Sequence, residues 1–207
     1  MLLDVLDHAV LTRMFVAGID GSDPLETVVA QYFHGRKRVQ DRIKKLIANG
    51  LVERDGTTLT ELGRSSLRVV LSGGVFDIIH PGHVHTLRAA KSLGDVLVVV
   101  VATSRTAKRM KRRMPLHNQD QRRDLVDALS MVDLCLVGDE EDIFRTVDRV
   151  RPEVVALGYD QIHQEKFIVD GCKGIGLDVT VARLQSPVPE ISSSKIEQEY
   201  GDSIHGI

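Results

Sequence analysis

Apolar residues recur at helical spacing over residues 2–17, where Leu2, Leu3, Leu6, Val10, Leu11 and Phe15 share a face. GIDGSDP (18–24) reads as a loop, with Asp23 placed to cap a helix that Pro24 opens. Residues 25–33 and 36–48 predict two further helices, the second closing on the Asn49-Gly50 pair. In LVERDGTTLT, Asp55-Gly56 sits between two short extended runs, which signals a hairpin. Three helices and a hairpin make the arrangement of a winged helix, and this domain is expected over residues 1–64.

From residue 67 the pattern alternates between strand and helix. LRVVLSGG (67–74) predicts a strand, and a helix follows at about 82–92. DVLVVVVAT (95–103) is too uniformly apolar for a surface strand and reads as the centre of a parallel sheet. Further helices are predicted at 119–129 and 140–150, and further strands at 132–137, 153–157 and 178–182. Strands separated by helices of about ten residues mean βαβ units. The predicted fold of residues 65–207 is therefore α/β, a Rossmann-like, doubly wound parallel sheet. Such sheets bind ligands beyond the carboxyl ends of their strands. Chemistry is expected in the loops after residues 73, 102 and 157.

Composition narrows the class. The 27 Lys and Arg against 29 Asp and Glu give a net charge of −2, which argues against a mainly electrostatic nucleic-acid binder. The basic residues Arg36, Lys37, Arg38, Arg42, Lys44 and Lys45 leave DNA binding through residues 34–50 open, but nine acids balance nine bases within residues 1–64. A solvated helix face explains the run equally well. No apolar run approaches the ~20 residues of a membrane span, and two Asp in the first seven residues are unlike a secretory signal. Cys135 and Cys172 lack zinc-site spacing, and the expected location is the cytoplasm.

The first of the expected loops reads GGVFDIIHPGHVHTL (73–87). Pro81-Gly82 forces a turn between His80 and His83 and sets His83 in the first turn of the next helix. A helix N-terminus already favours an anion, and two imidazoles add donors at the same point. Spacing alone also allows a metal pair, although no third ligand is evident, or a simple helix cap. The stretch 105–113 (RTAKRMKRR), read as a loop, offers six bases and no acid on the ligand side of the sheet.

Gly74–His83, as G-x-F-D-x-x-H-P-G-H, resembles the signature of the HxGH nucleotidyltransferase superfamily, the cytidylyltransferase-like proteins. The resemblance continues through 89–102, 115–133, 157–161 and 191–196. Within that superfamily the chain is most similar to archaeal-type FAD synthases, through Thr106, Lys108, Lys111 and Pro115, then Asp120–Leu129 and Leu157–Gln161. That resemblance implies transfer of AMP from ATP to FMN, giving FAD and pyrophosphate. It implies catalytic roles for His80, His83, Lys108 and Lys111. It also implies a nucleotide site made of Val75, Phe76, Asp77, His80, Pro81, Gly82, His83, Arg122, Gly158, Asp160, Ser192, Ser193 and Ser194. A divalent cation, magnesium, is expected with the triphosphate, and Asp77 is the candidate carboxylate for it.

Two departures keep alternatives in play. The usual GTFD is GVFD here, with Val75 in place of threonine, and a winged helix is not part of the minimal enzyme. The first alternative is a CTP-dependent transferase acting on glycerol 3-phosphate or another alcohol phosphate. Against it, the arginine of the RTxGIST pattern of such enzymes has no counterpart in PVPEISS (187–193). The second is a DNA-binding regulator that senses a nucleotide or flavin. A homodimer is compatible with every reading.

Overall fold

A computed structural model describes residues 3–32, 35–158, 164–185, 195–196 and 198–199. The chain divides into two compact units, Met1–Arg68 and Val69–Ile207. In the first, α1 (Val5–Asp20) opens with a capping box: Asp4 accepts from the Asp7 amide while Asp7 accepts from the Asp4 amide. The helix runs on through Gly18, which the sequence pattern had given to a loop, and stops only at Gly21. There the backbone turns left-handed at φ 78°, a conformation that costs glycine nothing. Asp23 accepts from the Leu25 and Glu26 amides to start α2 (Pro24–Tyr32), and α3 (Arg36–Ala48) follows.

Arg42 of α3 turns inward onto Asp7 at 2.9 Å and Asp4 at 2.7 Å, so it holds α1 and α3 together. The expected hairpin is minimal. One bridge, Val52 to Leu59, joins its arms, and the Asp55 carboxylate organises the turn by accepting from the Thr57 and Thr58 amides. A short helix, α4 (Glu61–Ser65), capped by Thr60, closes the unit.

The second unit is an α/β, Rossmann-like fold. Its strands are β1 (Val69–Gly74), β2 (Val96–Val101), β3 (Leu134–Val137), β4 (Val154–Leu157) and β5 (Thr180–Arg183). All pair in parallel in the order β3-β2-β1-β4-β5. Between them run α5 (Pro81–Lys91), α6 (Ser104–Lys111), α7 (Gln119–Asp127), α8 (Ile143–Val150) and α9 (Glu165–Gly174). Strand order reverses around β1, so the crevice for a ligand opens at the carboxyl end of that strand.

The sheet has two differently filled faces. Val70, Leu97, Val99, Val101, Cys135, Val154 and Ala156 meet Leu87 and Ala90 of α5 and Val126 of α7 in a closed core. Alternation sends Leu71, Gly73, Val100 and Leu157 to the opposite face, where α8 and α9 lie.

Two differences from the sequence pattern matter for the site. Residues 104–111 form a helix, not the expected loop. Thr103 accepts from the Thr106 amide to start it, Ala, Lys, Arg and Met propagate it, and Arg112 ends it in the left-handed region. Helix α9 was absent from the sequence pattern because Gly171 and Gly174 and the β-branched Ile168 and Val169 weaken its local signal. Tertiary packing supplies what propensity lacks: any side chain at Gly171 would run into the Phe144 ring of α8.

Candidate active site

The turn after β1 is built around Phe76. Its backbone takes φ 52°, an uncommon conformation for an aromatic residue, and this drives the ring into the core at 6% exposure. The ring lies over Gly74, where an added Cβ would come within 2.9–3.4 Å of its atoms. The G-x-F spacing of the motif is therefore a packing requirement. On its other side the Phe76 ring tilts against His83, with centroids 5.1 Å apart.

His80 is the N-cap of α5 and Pro81 opens the helix, a place where proline's missing N–H costs nothing. The His83 amide donates to the His80 carbonyl at 2.9 Å, and the two imidazoles stack with centroids 3.9 Å apart. Both Nδ1 atoms are buried with no hydrogen-bond partner. Burial, and then the charge of Lys111 on α6, hold His80 below its ordinary value. His83 is pushed down to about 4 by burial first, then by His80 and Lys111, with the Ile78 backbone opposing. The histidines are thus neutral near pH 7, beside a cation and at a helix N-terminus. An arriving polyanion reverses the balance that keeps them neutral.

The structure brings His80, His83 and Lys111 together. Lys108, one turn earlier on α6, is exposed. Val75 and Gly82 are buried at the base of the turn, and Gly158 is half-buried at the end of β4. Asp160 and Ser192, Ser193 and Ser194 lie outside the described residues.

Two expected ligands have other work. Asp77, 1% exposed, accepts from the Leu116 amide at 2.7 Å and pairs with Arg113 at 2.8 Å. Its carbonyl lies 3.1 Å from His117 Nδ1. Its carboxylate straps residues 113–117 to the turn and is closed off from a metal ion. Arg122 is fully buried. It donates through Nη1 to the Val75 and Ala102 carbonyls and through Nε to the His117 carbonyl. It supports the turn from within the protein. The sequence marks both residues as charged and motif-bound, and only burial reveals this supporting role.

Among the described residues no group of three His, Cys, Asp or Glu side chains forms a metal site. With Asp77 enclosed and Lys111 near the imidazoles, these residues do not fit a resident cation. Cys135 is buried, which pushes its thiol up to about 12 and leaves it unreactive. Among the described residues no helix is long and apolar enough to cross a membrane.

A strand, a glycine-flanked turn and a helix that starts at His80, at the point where strand order reverses, form a crevice suited to an anionic ligand such as a nucleotide. The chain belongs to the cytidylyltransferase-like family, whose model matches residues 71–199, and it is a nucleotidyltransferase. Within that family it is similar to FAD synthases. It is 44% identical to that of Picrophilus torridus over 125 residues, which are 60% of this chain and 89% of the relative. It is 48% identical to that of Aciduliprofundum boonei over 134 residues, 65% of this chain and 80% of the relative. Among solved structures it resembles the lipopolysaccharide core biosynthesis protein of Thermoplasma volcanium at 38% identity and a TM-score of 0.55. That match covers 58% of this chain and 98% of the other.

Proposed function

We propose that the protein transfers the adenylyl group of ATP to FMN, giving FAD and pyrophosphate. The observation that carries this reading is the 44–48% identity to FAD synthases across 80–89% of their length. A phosphate oxygen of FMN attacks the α-phosphorus of ATP in line. The bond from the α-phosphorus to the bridging oxygen breaks, and pyrophosphate leaves with the electron pair. Such a reaction needs positioning and positive charge more than covalent help. His80 and His83 take up positive charge against the triphosphate and hold it at the α5 N-terminus, with Lys111 and Lys108 on the adjacent helix. Val75, Phe76, Pro81, Gly82, Gly158, Asp160 and Ser192–Ser194 complete the proposed nucleotide site. Magnesium would enter with the triphosphate as its counterion.

The first unit is proposed to be a winged-helix module that the chemistry does not require. Of the six expected DNA contacts only Arg42 is held within the unit, by Asp4 and Asp7, while the Arg36–Glu26 and Lys44–Asp41 pairs are exposed, and nine acids balance nine bases over residues 1–64. This is consistent with weak DNA binding at most. The test is pyrophosphate release with ATP or CTP against FMN and glycerol 3-phosphate. The reading expects ATP with FMN to be the productive pair. Faster CTP-dependent transfer to glycerol 3-phosphate overturns it.

A further inference from the structure

A second opening lies against α6, where Thr106 and Met110 line it. Leu71, Val100, Met110, Ile143, Val147 and Ile168 line an apolar cavity of about 190 Å³ between the carboxyl ends of the strands and α6, α8 and α9. That is many times the ~10–15 Å³ that a single water needs, so the space is of ligand size. Its walls are nearly free of unused polar groups. Thr103 Oγ1 caps α6, and Thr146 Oγ1 accepts from the Asp139 amide. Two apolar side chains at the cavity, Met110 and Ile143, are 52% and 44% exposed. They face solvent when nothing covers them, at a cost that an apolar ligand removes.

The cavity adjoins the phosphate-handling turn. Gly73 and Gly74 of β1 line it, and the turn carrying His80 leaves from Gly74. Thr103, Thr106 and Met110 line it from the segment whose Lys111 acts on His80 and His83. At the edge, Gln164 is exposed and forms no side-chain cap to α9, so its amide is available to a ligand.

The floor is Gly73. It lies in β1 on the face of Leu71, its φ is not positive, and an added Cβ would meet only the Val100 carbonyl oxygen, at 3.5 Å. A side chain is therefore compatible with this strand. Its absence leaves exposed backbone at the centre of the sheet, where a flat ring can lie against it. A polyol phosphate would bury its hydroxyls against these apolar walls without partners, which is unfavourable.

We infer that this cavity takes the isoalloxazine ring of FMN and that Gly73 sets its depth and so selects a planar aromatic acceptor. The inference rests on the FMN reading above. The dimethylbenzene edge of the ring enters the apolar floor, Gln164 faces the imide edge at the mouth, and the phosphate points back toward Lys111 and the histidines.

The test is Gly73→Val, a β-branched residue suited to a strand, in the full chain. Riboflavin and FMN binding are followed by flavin fluorescence, and FAD formation by the KM for each substrate. Both flavins are expected to bind at least tenfold more weakly, by the same factor, with the KM for ATP within about twofold of wild type. Met110→Ala, at an exposed position that does not threaten folding, should weaken both flavins severalfold. Unchanged flavin affinity in both variants, or a loss for FMN but not riboflavin, overturns the cavity assignment and leaves FAD synthesis standing. A wild-type protein that neither binds FMN nor makes FAD overturns the FMN reading, and the ring assignment falls with it.

Discussion

The His80–His83 pair makes a quantitative prediction about protons. In the nucleotide-free protein His83 titrates at about 4, against an ordinary 6.5, because burial disfavours its charged form. At about 1.4 kcal/mol per pKa unit, charging it there costs about 3 kcal/mol. Its value is depressed on folding, so the unfolded chain binds a proton that the folded chain refuses. The stability associated with neutral His83 is complete above 6.5 and declines as the pH falls from 6.5 toward 4. Between pH 6.5 and 5.0 this amounts to about 2 kcal/mol. Urea unfolding followed by circular dichroism at the two pH values should show wild type losing that much more than His83→Gln. A triphosphate beside the pair reverses the preference. The imidazoles stack at 3.9 Å, so the first charge discourages the second and the pair takes up close to one proton, not two. Calorimetry of magnesium-ATP binding at pH 7, in buffers of different ionisation enthalpy, reads that uptake directly. Parallel stability curves together with zero proton uptake would refute the reasoning.

His80→Ala should lower kcat by ~10²–10³ with the fold intact by circular dichroism, the usual loss when one charge-stabilising donor is removed. Asp77→Asn should destabilise the second unit by about 2 kcal/mol, because it leaves Arg113 without its charged partner. The same variant should keep the magnesium dependence of wild type, and a shifted magnesium optimum would return Asp77 to the role of metal ligand. Arg42→Met should cost the first unit roughly 2–3 kcal/mol by stranding the buried Asp7 carboxylate, while leaving FAD formation unaltered. An unchanged melting transition of that unit would contradict the role given to Arg42.

The sheet was legible because its strands are nearly pure apolar runs, and VLVVVV and VVAL leave no face for water. The unread elements are those where local signals conflict. In α6 the run of bases suppresses any apolar periodicity, so only the Thr103 cap and the strong helix formers betray a helix. In α9 the glycines oppose helix formation, and it is the Phe144 ring over Gly171 that makes one of them indispensable. Neither contact is visible to a reader of periodicity. The extension of α1 past Gly18 has another origin: Gly18 is exposed with nothing within 4 Å of where a Cβ would lie, its φ is not positive, and the helix ends only where Gly21 adopts the left-handed conformation.

The site was legible in a different way. Motif residues could be named from the sequence, but sorting them into those that face a ligand and those that build the turn required burial. Glycine and phenylalanine at the start of the motif are one packing unit, since the Phe76 ring occupies the volume that a side chain at Gly74 would need. Asp77 and Arg122 look like ligands to a reader of charge, yet each is enclosed and bonded to backbone from another segment. What remains facing the crevice is an imidazole pair beside Lys111, neutral before the triphosphate arrives and able to take up a proton with it. A charged pair would have to be buried at the full cost of desolvation in the nucleotide-free protein. Leaving the proton in solution until the triphosphate arrives avoids that cost and makes the positive charge conditional on the substrate.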